Sequence, residues 1–500
     1  MSNYIAGYLI IFTPLLFSIV CFLAPARLDF SIFIIAIIIL ALLIFKITPD
    51  LLIYGKLTSD INLESTVSIL TEYYFDFLAI FFLFLVIFNK FMINIYYQAD
   101  IKKSINDGNR KMFYSVSLLN LFGLVGIFTT NNIINLYIFI EIYSLTFYAI
   151  MSMSNDENLT KLSFKYFTWG IIGSILILLA FLSLYIITGE AHINLIINDI
   201  GYILKNDYTM AVLIFFITII AILVKFFPIW LYLEKIKRNN FFANFLSTSS
   251  LFIKTNIGLY LLIRIIFFLF GIDFSFAKLN FNFILFLAGS GLIIYGNIQL
   301  LKYQHLKIIA SNLCLINLGL ALIGISLALK ESISASFLYI INYSFTNLMI
   351  FLFASYLSRN FSNCNIENLH IIRKNNFIVG IPLKAIIFFI AGFPMTMFFL
   401  ANWQLAYATS NLLPSLFVII LLITTNFAVI KLVIKMINYF YFYSKEEAPV
   451  STKFFSKQEN FLYSISFWIM LSIALYFAIF SNILISITNN LSIYLLSNTI

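Results

Sequence analysis

The stretch NNIINLYIFIEIYSLTFYAIM, residues 131–151, decides how this chain must be read. It is apolar enough and long enough to cross a bilayer, yet Glu141 stands near its centre. A short carboxylate at that depth cannot reach water, and a charge at the middle of an inserted helix costs roughly 2.5–3.5 kcal/mol on insertion scales. The residue therefore needs a reason to be there.

The rest of the chain asks for the same solvent. Of 500 residues, 62% are hydrophobic and 10% charged, with 58 Phe and a mean hydropathy of +1.01. A soluble domain is nearer half apolar and a quarter charged. One aqueous core cannot bury this much apolar side chain, so the composition defines an all-α, polytopic membrane protein. The N-terminus has no Lys or Arg before Arg27, which excludes the basic start of a signal peptide. Cys21, Cys314 and Cys364 lie far apart, as do His192, His305 and His370. That scatter predicts no disulfide framework, metal site or haem. No Gly-rich phosphate loop appears, so no nucleotide cofactor is expected.

Runs of about 20 apolar residues predict fourteen spans, near 4–24, 28–46, 74–97, 112–129, 131–153, 162–187, 210–233, 241–270, 281–298, 306–328, 333–358, 376–408, 413–443 and 459–487. The connections test this count. The odd-numbered ones hold eighteen Lys and Arg, from Arg27 to Lys457 and including Lys307, whereas the even-numbered ones hold five: Lys46, Lys56, Lys205, Lys278 and Lys330. Such asymmetry follows the positive-inside rule and places both termini on the far side from the cytoplasm or matrix. It also accounts for the net charge of +9 without a nucleic-acid partner.

Some charges remain inside spans. Lys90, Arg264, Lys384, Lys431 and Lys435 read as side chains that snorkel to an interface, and Asp76 lies at the start of its span. Glu141, Lys225 and Lys254 sit deeper. They are either a structural ion pair between helices or protonatable groups along an ion path, and intramembrane charges commonly mark such paths. Pro228 and Pro394 fall inside apolar runs, where proline interrupts the helical ladder. Paired interruptions in two halves point to broken helices around a midplane site.

At this point the motifs resemble a family. Residues 131–151 are similar to the fifth span of the antiporter-like subunits of respiratory complex I and of Mrp-type cation/proton antiporters. KYFTWGIIGSILILLAFLSLYIITG (165–189) is similar to the next span, and FFPIWL (226–231) and KTNIGLYLLIR (254–264) to the two after it. LKIIASNLCLINLG (306–319) keeps Lys307 and Gly319 of a further motif, and AGFPMTMFFLAN (391–402) resembles the broken twelfth span. The resemblance covers residues 70–410 and implies about fourteen helices in two inverted five-helix repeats with broken helices. N-terminal spans would fill 1–110, the repeats 111–270 and 281–443, and a C-terminal span 444–500. It implies that Glu141 and Lys225 form a coupled pair, that Lys254 and Lys307 continue a proton path, and that protons, and in some members Na⁺, are the cargo.

It also implies other membrane subunits as partners and a bacterial inner membrane, or alternatively a mitochondrial one, as the setting. Redox chemistry would belong to partner subunits. Three departures stand out: Asn402 occupies a place usually held by Lys or Glu, Tyr343 that of a His and Asn347 that of a Lys. The loop LEKIKRNNFFANF (233–245) has lost the family's prolines. These losses favour an alternative, a structural subunit with a decayed ion pathway. A lipid or polysaccharide carrier would instead require a large cavity lined by Arg and Lys.

Overall fold

In the computed structural model, residues 2–58, 73–105, 107–153, 157–197, 208–227, 241–360, 365–370, 377–410, 415–442 and 457–497 are described. Nearly all of them are helical, as a bilayer demands: only a helix satisfies every backbone group within its own segment. Among them, twelve helices are long and apolar enough to cross a membrane, or thirteen if one bent pair counts as a span.

The chain begins with α1 (Ser2–Leu23) and α2 (Asp29–Tyr54), then a small antiparallel ribbon of β1 (Lys56–Thr58) and β2 (Tyr74–Asp76). Next come α3 (Phe77–Ser104), α4 (Asp107–Thr129), α5 (Ile133–Ser152), α6 (Glu157–Thr188) and α7 (Tyr208–Phe226). α8 (Phe241–Ser249) runs through a π-helical turn, Ser250–Lys254, into α9 (Thr255–Ile263). α10 (Phe281–Lys302), α11 (Leu306–Leu327) and α12 (Lys330–Asn342) follow, the last passing through a π turn, Tyr343–Asn347, into α13 (Leu348–Asn360). α14 (Phe377–Ile390), α15 (Met397–Thr409), α16 (Ser415–Ile437), α17 (Lys457–Ile479) and α18 (Ser481–Ser497) complete the chain.

Polarity is arranged for lipid. α2, α6 and α16 turn Leu42, Phe45, Ile175, Leu179, Ile420 and Phe427 outward, whereas the α12–α13 segment buries Ser332, Ser334, Asn342, Thr346, Asn347 and Ser355. Exposed apolar side chains cost nothing in a bilayer, and buried hydroxyls and amides bind helices together by hydrogen bonds.

Pro394 does break its helix. α14 stops at Ile390 and α15 starts at Met397. Between them Gly392 and Met395 take left-handed backbone at φ 68° and 75°, and Thr396 caps α15 by accepting from the Phe399 N–H. Pro14 and Pro49, by contrast, sit inside helices that continue. Pro228 lies outside the described residues. The run expected at 459–487 is two helices, bent by 82° between Ile479 and Ser481. Ser481 and Asn482 begin the second, and short polar side chains of this kind favour helix starts over helix interiors.

The chain forms two compact units, one of residues 1–91, 98–229 and 253–272, the other of 92–97, 230–252 and 273–500. A set of local features of the first recurs in the second 173 residues later. α5 starts at 133 and α11 at 306. An isolated bridge joins Asn132 to His192, and another joins His305 to Asn365. Beside them Ile193 N donates to Asn131 O, and Ile366 N donates to Gln304 O. Gly123 packs against the backbone of Phe139 and Tyr143, and Gly296 against Asn312 and Ile316.

Candidate functional site

Glu141 lies in α5, a helix whose start is fixed by Asn132: its side-chain oxygen accepts from the N–H groups of Ile134 and Asn135. That start directs Glu141 toward α6 and α7. The Lys225 ammonium donates to Glu141 Oε1 at 2.5 Å and to Ser174 Oγ of α6 at 2.6 Å. The lysine side chain is fully buried and the glutamate side chain 23% exposed. Ser144, one turn on from Glu141, donates to the Ile140 carbonyl and stands 3.4 Å from Glu141 Oε2.

Lys225 was expected near the middle of its span. It occupies the last turn of α7 as described, which ends at Phe226. A cation there meets the negative end of the helix dipole. Gly173 allows α6 to come this close: a Cβ on it would lie 2.8 Å from Lys225 Cβ and 3.1 Å from Lys225 Cα. Ser174, the next residue, thereby reaches the ammonium.

Lys254 ends the π turn between α8 and α9 and is buried. Its ammonium faces the rings of Phe147, Tyr148 and Tyr166 at 5.5, 5.7 and 5.9 Å. Among the described residues these three ring faces are what hold it, an arrangement that stabilises a cation by about 0.5–2 kcal/mol per good contact. Lys225 is close enough for the two ammonium charges to repel one another. Glu141, Lys225 and Lys254 are thus brought together in the first unit. A cavity of that unit, about 50 Å³, is mostly apolar and its lining includes none of the three.

Lys307 is elsewhere, in the second unit. Counted above as a connection charge, it is fully buried in the first turn of α11. Its ammonium donates to Asn244 Oδ1 at 2.9 Å, and Asn244 donates onward to Ser358 Oγ. Just outside the span, burial and then the Lys307 charge push the His305 imidazole down to about 4.

The three departures also find neutral partners. Asn402 accepts from the Tyr339 hydroxyl at 2.6 Å and donates to Asn426. Tyr343 donates to the Leu251 carbonyl, inside the π turn Ser250–Lys254. A π turn shifts the ladder from i+4 to i+5 and leaves a carbonyl in need of such a donor. Asn347 stands beside Cys314.

Two of the snorkelling assignments fail. Lys90 is buried and donates to the Ser117 carbonyl and Asn120 Oδ1 at 2.8 and 2.7 Å. Asn94 and Tyr97, four and seven residues on, were the sequence signal, because they place one polar face on an apolar helix. Arg264 pairs with Asp76 at 2.7 Å, and Asp76 also caps α3 through the Ala79 N–H. Lys384 and Lys431 are exposed, and Lys435 is half-exposed. Among the described residues no group of three or more His, Cys, Asp or Glu is placed to hold a metal ion.

A helical membrane bundle with a carboxylate–ammonium pair and a second lysine buried beside it defines a class: polytopic membrane proteins with titratable groups in their interior. The chain belongs to the NADH:quinone oxidoreductase/Mrp antiporter transmembrane family, whose model matches residues 130–429. It is similar to an Na(+)/H(+) antiporter subunit of Alkalihalophilus pseudofirmus, 23% identical over 303 residues, and the match spans 59% of each chain. A putative antiporter subunit, mnhD2, of Staphylococcus aureus is 24% identical over 76% of this chain and 74% of its own. In fold the chain resembles a subunit of the Mrp complex from Dietzia sp. DQ12-45-1b, with a TM-score of 0.79, 13% identity and 100% and 98% of the two chains covered. It also resembles a chain of respiratory complex I from Thermus thermophilus, with a TM-score of 0.68, 14% identity and 97% and 99% covered.

Proposed function

We propose that this chain is a proton- or cation-translocating membrane subunit of a multisubunit complex, of Mrp-antiporter or complex I type, in a bacterial inner membrane. The observation that carries the reading is the contact of Lys225 with Glu141 and Ser174. Ionised Glu141 holds the Lys225 charge away from that of Lys254. A proton arriving on Glu141 removes the attraction, and the Lys225 charge then acts in full on Lys254, which favours passing a proton onward. Each proton transfer thus alters the electrostatic energy of the next group, as coupling requires. Lys307, with Asn244 and Ser358, is a further buried polar group, in the second unit. The recurrence at 173 residues supports two repeats, with Pro394 marking the broken helix of the second.

The alternative, a structural subunit, is favoured by the neutral Tyr339–Asn402–Asn426 chain, which has no titrating member at neutral pH. Transport distinguishes the two. The complex is purified in mild detergent, its partners are identified, and it is reconstituted into vesicles carrying a pH-sensitive dye. Glu141→Gln abolishes the ion-dependent pH change if the chain translocates, and leaves it intact if the chain is structural.

A further inference from the structure

Tyr148 carries a hydroxyl that the fold does not use. The side chain is 8% exposed, and among the described residues its oxygen has no hydrogen-bond partner. A buried polar group without a partner destabilises the fold that holds it. Phenylalanine would fill the same space without that cost. The hydroxyl calls for a reason, as Glu141 does.

Its surroundings supply one. Glu141, Ser144 and Tyr148 follow one another on α5 at spacings of three and four residues, which puts them on one face of the helix. Glu141 is close enough for its charge to act on the Tyr148 hydroxyl. The ring of Tyr148 presents a face to the Lys254 ammonium at 5.7 Å. The hydroxyl rests against Gly170 of α6, in a notch that a Cβ would fill. One turn further along α6, Ser174 accepts from the Lys225 ammonium and donates to the Gly170 carbonyl at 3.0 Å. A single turn of α6 thus carries both the serine that holds Lys225 and the notch that seats the hydroxyl. Ser174 spends its proton on Gly170, and Ser144 spends its own on the Ile140 carbonyl. Of these three hydroxyls, Tyr148 has the proton that no backbone carbonyl takes, and a phenol both donates and accepts at one oxygen.

We propose that the Tyr148 hydroxyl relays protons between Lys225 and Lys254. The proposal rests on the reading of Glu141 and Lys225 as a proton-carrying pair. Protonated Glu141 no longer holds the Lys225 ammonium. An N–H bond of Lys225 then breaks as an O–H bond forms on Tyr148, and the original Tyr148 O–H bond breaks as an N–H bond forms on a neutral Lys254 amine. The tyrosine ends as it began. Neutral Lys225 takes the proton of Glu141, so one proton has passed from Glu141 to Lys254 and none has been gained or lost.

The test compares wild type, Tyr148→Phe and Glu141→Gln in the reconstituted complex, by the dye-loaded vesicle assay and by thermal melting in detergent. Tyr148→Phe keeps the ring that faces Lys254 and removes the oxygen. The expected result is a transport rate lower by roughly 100-fold, the low end of what a placed proton-transfer group contributes, with a melting temperature equal to or above that of wild type. Wild-type transport by Tyr148→Phe while Glu141→Gln is inactive would overturn the relay and leave the reading of Glu141 standing. A fall in melting temperature that accompanies the loss of transport would make the hydroxyl structural and also overturn it. Transport that survives both substitutions would overturn the relay and the proton-carrying pair together.

Discussion

The Lys225 ammonium stands 2.5 Å from the Glu141 carboxylate while the glutamate alone keeps partial access to its surroundings, 23% against none for the lysine side chain. The pair is therefore asymmetric. The buried partner depends on the partly exposed one for its counter-charge.

Removing Glu141's charge should cost stability through Lys225. Breaking a buried pair costs about 3–5 kcal/mol when one partner is left charged, and the partial exposure of Glu141 puts the expected loss at the lower end. Glu141→Gln should therefore melt earlier than wild type in detergent. Glu141→Gln/Lys225→Met should be more stable than the sum of the two single losses, with a coupling of roughly 0.5–3 kcal/mol. Additive losses would show that the contact is not energetically real.

Gly173 is the spacer for that contact. Gly173→Ala places a methyl 2.8 Å from Lys225 Cβ and 3.1 Å from its Cα, so a backbone must move. Overpacking of this kind costs about 1–3 kcal/mol. The variant should melt earlier and transport more slowly, because Ser174 withdraws with the helix. Gly170→Ala is not an equivalent control, since its Cβ would meet the Tyr148 hydroxyl.

Lys254 depends on ring faces. Phe147→Leu keeps the volume apolar and removes one face of the set, with an expected loss of about 0.5–2 kcal/mol and a lower transport rate. Thermal melting and vesicle assays on the same preparation read both effects.

His305 gives the protein an acid limb. Its imidazole is pushed down to about 4 in the folded chain, against about 6.5 when unfolded. The unfolded state therefore binds the proton more readily. Stability contributed by neutral His305 is present above pH 6.5 and is lost as pH falls from there through 4. His305→Gln should flatten the melting-temperature profile over that window. An unchanged acid limb would assign it to other groups.

Tyr343→Phe removes the donor that serves the Leu251 carbonyl. The π turn should then be left with an unsatisfied buried acceptor, at a cost of about 1–3 kcal/mol. Faster amide exchange in residues 250–254 than in α9 is the expected signature.

Much of this was legible in the sequence. Apolar run length showed the helices, because a bilayer forbids other backbone solutions. Glu141 was legible because a short carboxylate has no route to water. Lys90 and Arg264 were not, because a lysine or arginine six or seven residues from the end of a span can either snorkel or be buried, and only the neighbouring helix decides. Asn120 and Asp76 made that decision, and both lie on other elements. Lys307 was misplaced for a similar reason: it begins a helix, where a connection charge and a buried one look alike. The bend before Ser481 escaped because its apolar run continues through it.

The most direct measurement is infrared difference spectroscopy of the reconstituted complex during a pH jump. The account predicts a protonated-carboxyl band that rises and falls with transport and disappears in Glu141→Gln. A band that survives that substitution unchanged, or transport with no carboxyl band at all, would contradict it.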